Sequence, residues 1–125
     1  MPYVNDTSAV NTPYVSLRTL SEQLGSGVWR QPLVGTKNVR VVVMQTAAGT
    51  SLPAHLHPRA DETFFVVAGE AGFTFDSNPE IVAKPGSILF ARHGVRHAVR
   101  VLGRDPLLWI AVVTPNEDAP NEQID

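Results

Sequence analysis

From Gly27 onward the chain is cut into short runs of β-branched and aromatic residues, each ended by a glycine, proline or Asx turn signal. This constrains the fold more than anything else in the sequence. The runs are Val28 to Val34, Val39 to Met44, Glu62 to Ala68, Ala71 to Phe75, Ile81 to Lys84, Ser87 to Ala91, His97 to Leu102 and Leu107 to Val113. Between them lie Gly35-Thr36-Lys37-Asn38, Gly69-Glu70-Ala71-Gly72, Asp76-Ser77-Asn78-Pro79, Pro85-Gly86 and Gly103-Arg104-Asp105-Pro106. Short strands at near-regular spacing with such turns imply an all-β sandwich or barrel. One helix precedes them. Leu17, Leu20 and Leu24 follow the i, i+3, i+7 spacing of an amphipathic face, and Gly25 can stop it.

A chain of 125 residues is one domain by size and buries a core without covalent staples. It has no cysteine, so it has neither disulfides nor thiolate metal sites. A net charge of −2 with no Lys/Arg run argues against nucleic acid as a partner. No apolar run approaches the roughly 18 residues of a membrane span. Met1-Pro2-Tyr3-Val4-Asn5 lacks the charged and apolar regions of a secretory signal, so the expected location is cytoplasmic. Residues 1–15 read as a polar N-terminal arm, 16–114 as the barrel and 115–125 as a polar, acidic tail.

The chemistry concentrates between Gly49 and Gly69. His55 and His57 are two apart in a β-like segment, and residues i and i+2 of a strand share a face. Glu62 opens the next apolar run and brings a carboxylate to the same place. Two imidazoles and a carboxylate form a metal-ligand set that leaves coordination positions open.

The spacing of these residues resembles the two motifs of the cupin family. The first is a glycine, five residues, His-x-His, three or four residues, a glutamate, six residues and a glycine. Gly49, His55, His57, Glu62 and Gly69 meet every fixed position. The second is a glycine, five residues, Pro-x-Gly, two residues, a histidine, three residues and an asparagine. Gly86, Gly94 and His97 fall in place, while Arg92 stands for the proline and Val101 for the asparagine. The resemblance implies a small single-domain cupin, a double-stranded β-helix or jelly roll with one metal ion in its open mouth. By position it implies His55, His57, Glu62 and His97 as ligands. The ion would be one divalent transition metal per chain, namely Fe, Mn, Ni, Zn, Co or Cu. The departures at Arg92 and Val101 bear on the loop before His97.

Other residues around this set are candidates. His93 could act as acid or base, and Glu62 could serve as a base besides its ligand role. Arg59 could hold an anionic substrate group. Gln45 and Arg40 lie on the run from Val39 to Thr46, of which one parity faces the cavity. Gln45 shares parity with Val39, Val41 and Val43, and a polar residue on an apolar inner face would bond a substrate. Phe64 shares parity with Glu62, and Val99 with His97, so both are expected to line the pocket. The expected function is a metal-dependent enzyme on a small oxygenated metabolite, with dioxygenase-type oxidation the largest group the resemblance implies. Non-redox isomerase, cyclase or lyase chemistry and a non-catalytic sensor or binding protein are the alternatives. The resemblance also implies a homodimer paired through an outer sheet.

Overall fold

A computed structural model describes residues 9–117. Residues 1–8 and 118–125, which hold most of the expected arm and tail, lie outside the described residues. The helix α1 spans Leu17–Leu24. The Oγ of Ser16 caps its start by accepting from the Thr19 amide at 3.2 Å. Gly25, at φ 80°, ends it and donates its amide to the Ser21 carbonyl.

Nine strands follow: β1 Trp29–Gly35, β2 Arg40–Thr46, β3 Ser51–His55, β4 Asp61–Ala68, β5 Glu70–Phe75, β6 Ile81–Ala83, β7 Ile88–Ala91, β8 His97–Leu102 and β9 Leu107–Thr114. They form two antiparallel sheets, one in the order β1-β2-β9-β4-β7 and one in the order β3-β8-β5-β6. No helix among the described residues is long and apolar enough to cross a membrane. The architecture is the all-β jelly roll expected from the sequence.

The core is made by one parity of each facing strand. Val42 and Met44 of β2, Phe64 and Val66 of β4, and Trp109 and Ala111 of β9 meet Phe73 of β5 and Val99 and Val101 of β8. Phe64 lies at the centre of an aromatic cluster, with its ring 5.3 Å from Phe73 and 5.8 Å from Trp109. The indole N–H of buried Trp109 donates to Thr46 Oγ1 at 3.1 Å, so the core holds no orphaned donor there.

The parity of β2 differs from the sequence reading. Its inner face carries Arg40, Val42 and Met44, and Gln45 turns to the outer face. There the Gln45 side-chain amide donates to the carbonyls of Gly25 and Gly27 and ties the end of α1 to the sheet. Val43, on that same outer face, is fully buried, so both faces of β2 read as apolar and periodicity alone does not choose between them.

One end of the barrel is closed tightly by Gly69, between β4 and β5, at φ 85°. A Cβ there would run into the backbone carbonyl of Pro106 and lie 3.1 Å from the Leu107 Cα. Only glycine fits both the backbone conformation and the space.

Candidate metal centre

The site lies at the other end of the barrel, at the start of β4. Strand β4 presents Glu62 on the same face as Phe64 and Val66, directed between the sheets. His97 opens β8 on the face shared with Val99 and Val101. His55 pairs directly with His97 across the β3–β8 ladder.

His55 reaches that face through a bulge. Leu52 pairs with Val99 and His55 with His97, so three steps on β3 oppose two on β8. Strict alternation would give Leu52 and Ala54 the same face. The extra residue at Pro53-Ala54 reverses the parity and turns His55 inward. Proline is at ease in such an irregular position because its missing amide interrupts no ladder.

His57 is not on that strand, which ends at His55. It sits in the following turn and is brought back by a different contact. Its carbonyl accepts the Gly94 amide at 2.7 Å. Gly94 is the third residue of a turn closed by the Val95 amide on the Arg92 carbonyl, and has φ 81°. That position demands glycine. The second motif's loop thus holds a ligand of the first motif, with Arg92 in place of proline. At Val101, where asparagine is usual, the backbone carries the link: its amide donates to Thr50 and its carbonyl accepts from Gly49.

The four side chains converge. Their ligating atoms all lie within 4.8 Å of one another. Glu62 Oε1 is 3.0 Å from His57 Nε2, 3.0 Å from His97 Nε2 and 3.9 Å from His55 Nε2. His55 Nε2 and His97 Nε2 are 3.1 Å apart. Each ring also presents its other nitrogen to an acceptor: His55 Nδ1 to the Pro53 carbonyl, His97 Nδ1 to the Val95 carbonyl and His57 Nδ1 to the Glu117 carboxylate. With protons on Nδ1, the three Nε2 atoms and the carboxylate could offer four donors to one cation, and neutral imidazole with carboxylate suits a divalent transition metal; with protons on Nε2, the rings hydrogen-bond to Glu62 instead.

The electrostatics agree. Burial alone would push the Glu62 carboxyl up, but hydrogen bonds from His55, His57 and His97 hold it well below the usual carboxylate range. Burial would lower His55, and Glu62 beside it outweighs this and raises it above its ordinary value.

The remaining candidates separate. Phe64 and Val99 are buried beneath the site, and the Phe64 ring is 5.4 Å from that of His97. Arg59 is largely exposed and places Nε 3.3 Å from Glu117 Oε1. His93 donates its amide to Asp61 Oδ1 at 2.9 Å, and its Nδ1 lies 3.2 Å from the same oxygen. Asp61 alternates with Glu62 and so faces away from the cluster; His93 goes with it. The backbone and side-chain hydrogen bonds from His93 lower the Asp61 carboxyl.

Two residues that sequence reasoning assigned no role stand near the cluster. Arg40 pairs with Val113 on one side of β9, and Glu62 pairs with Val113 on the other. The three side chains form one row across the sheet, all on the inner face. Arg40 is 8% exposed, and its charge acts on His55. The even parity of Arg40 with Val42 and Met44 was the available signal. Glu117 is 5% exposed and lies against His57. It carried no signal, being one acid in a polar, acidic segment.

Comparison with known proteins supports this reading. A curated relative, the dimethylsulfoniopropionate lyase DddQ of Ruegeria pomeroyi, is 39% identical over 62 residues, half of this chain and 30% of the relative. The matched segment thus spans about a third of that protein's length. A double-stranded β-helix protein from Klebsiella pneumoniae superposes with a TM-score of 0.71 at 25% identity, over 84% of this chain and 91% of that one. A structure from Thermotoga maritima, described as a predicted oxalate decarboxylase, gives 0.66 at 22% identity, over 71% and 81%. The family profile described as "Cupin domain" matches residues 42–113, which contain all four converging side chains, and the chain belongs to the cupin family.

Proposed function

We propose that the chain is a metal-dependent enzyme that performs non-redox lyase chemistry on a small carboxylate-bearing metabolite. The observation that carries this reading is the convergence of His55, His57, Glu62 and His97 into a four-donor set, with Arg40 on the row of Glu62 across β9. His55, His57, Glu62 and His97 would hold the ion, which when bound supplies Lewis-acid polarisation of a substrate oxygen. The charge of Arg40, felt at His55, would favour an anionic substrate group at the site. Phe64 and Val99 form an apolar floor that keeps water from the site's base. Glu62, held ionised by its histidine neighbours, would accept a proton from the carbon next to the substrate carboxylate, the C–H electron pair forming a C=C bond as the bond from the adjacent carbon to the leaving group breaks and that group departs with its electron pair. The relative DddQ, named a lyase acting on a propionate, supports this direction.

A second reading is dioxygenase-type oxidation. The donor set favours it, because three imidazoles and one carboxylate also suit Fe(II) and leave positions for O2. We also propose that the chain pairs with a second copy through the edge strands β6 and β7. Ile81, Val82, Ile88 and Phe90 are exposed there around an open cavity of about 660 Å³.

The test is a panel of small carboxylates incubated with metal-loaded protein, with and without oxygen, followed by NMR of the products. Turnover that persists without oxygen supports lyase chemistry. Stoichiometric oxygen uptake supports the second reading. Saturable thermal stabilisation by a panel member with no turnover identifies a binding protein and overturns both.

A further inference from the structure

We propose that Glu117 is a positioning residue of the metal centre: it fixes the His57 ring with Nε2 turned toward the donor cluster, and so sets metal affinity. The inference rests on the metal-binding reading above.

His57 is 2% exposed, and its two nitrogens have different tasks. Nε2 is 3.0 Å from Glu62 Oε1, inside the cluster. Nδ1 is buried and lies 3.4 Å from Glu117 Oε2, outside ideal hydrogen-bond geometry, with no hydrogen-bond partner among the described residues. A buried ring nitrogen facing a buried carboxylate oxygen carries the proton between them. The ring is then of the tautomer that offers a lone pair at Nε2.

The Glu117 carboxylate has no other evident task. Among the described residues both oxygens are buried without a hydrogen-bond partner, and Arg59 places its Nε 3.3 Å from Oε1. A carboxylate held in that state is expensive unless it interacts with a positive or proton-donating group. His57 and Arg59 flank it on either side.

The chain places this carboxylate deliberately. Asn116, immediately before it, donates its side-chain amide to the Thr36 carbonyl at 2.8 Å and its backbone amide to Lys37 at 3.3 Å. The segment after β9 is thereby pinned to the β1–β2 turn, and Glu117 is directed onto the ring. It lies beyond residue 113, where the family match ends. His55 and His97 orient on backbone carbonyls, so His57 alone among the three has a charged acceptor. A carboxylate polarises the imidazole more strongly than a carbonyl and makes Nε2 the better donor.

The experiment compares full-length wild type, Glu117→Gln and Glu117→Ala. Zinc affinity is measured by competition with a chelator, and the His57 Nδ1 proton is followed by NMR in the zinc-loaded proteins. Glu117→Ala is expected to weaken zinc binding about 10- to 100-fold, with Glu117→Gln toward the lower end. The His57 Nδ1 proton should move upfield in Glu117→Gln, a change that a purely structural role would not produce. Should Glu117→Ala fail to fold, the isosteric Glu117→Gln carries the test. Zinc affinity within twofold of wild type in Glu117→Gln, with the Nδ1 resonance unmoved, overturns the proposal. Failure of wild type itself to bind zinc, manganese or iron overturns instead the metal reading on which it rests.

Discussion

Arg40 and Glu62 stand two strands apart on one row of the five-stranded sheet, each in register with Val113. Neighbouring strands are about 4.8 Å apart, so the two Cα atoms are about 10 Å apart and their side chains share the inner face. The charge of Arg40 acts on His55, yet Arg40 is not one of the four converging donors. Arg40→Met should therefore keep one metal per chain, and bind metal as tightly as wild type or slightly more so. The same variant should lose the thermal stabilisation that small carboxylates give the loaded protein. Metal analysis and a melting screen check both halves.

Removing a ligand acts on the other half of the pair. His97→Ala and His57→Ala should each lower bound metal from one equivalent to well under half, by elemental analysis of protein purified without a nickel column. Far-UV dichroism should stay that of a β-protein, since the core below the site is apolar and continuous.

The pH response should reverse on metal loading. In the metal-free protein Glu62 is lowered from its ordinary value, so its contribution is present above about 4.5 and fades as pH falls through its folded value. His55 is raised from 6.5, so its contribution is full below 6.5 and fades as pH rises through its folded value. The metal-free protein should melt highest between those limits. The loaded protein should gain stability as pH rises through the same range, because ligation needs neutral imidazole. Melting curves of both forms from pH 4 to 9 would test this, and parallel profiles would contradict it.

Gly69 follows the end of β4 opposite Glu62 and the donor cluster. Gly69→Ala adds a Cβ against Pro106 and Leu107 at a left-handed φ. A loss of about 1–3 kcal/mol in urea unfolding is expected, with metal affinity unchanged.

At the edge strands, Phe90→Glu puts a charge into the apolar groove beside Ile81 and Ile88. Sedimentation should show a dimer for wild type and a monomer for this variant. A wild-type monomer at high micromolar concentration would remove the pairing proposal.

Much of the architecture was legible because the strands that carry it are short β-branched and aromatic runs bounded by glycine, proline and Asx turn signals. In β9 every second residue is apolar and buried, in β4 Phe64 and Val66 continue the alternation that buried Glu62 begins, and α1 announces itself by its leucine spacing and Gly25. The ligand positions were legible through motif spacing, although the reason first offered for them is only half right. His55 and His57 do not share a strand face: a bulge turns one, and a hydrogen bond from Gly94 returns the other. Bulges leave little trace in periodicity, because they are decided by the partner strand. The inner face of β2 was hidden because Val41 and Val43 are as apolar as Val42 and Met44. Glu117 was hidden because burial of an acid depends on what the chain meets after a turn, and composition reports only its usual preference for water.

The bulge at Pro53-Ala54 has a mechanical consequence. His55 and His97 belong to the four-stranded sheet and Glu62 to the five-stranded one. An ion shared among them is a rivet through the two layers, placed at the end of the sandwich opposite the Gly69 turn. Chelation would therefore let the layers breathe at that end first. Amide exchange should quicken at the start of β4 and β8 while the Gly69 end stays protected.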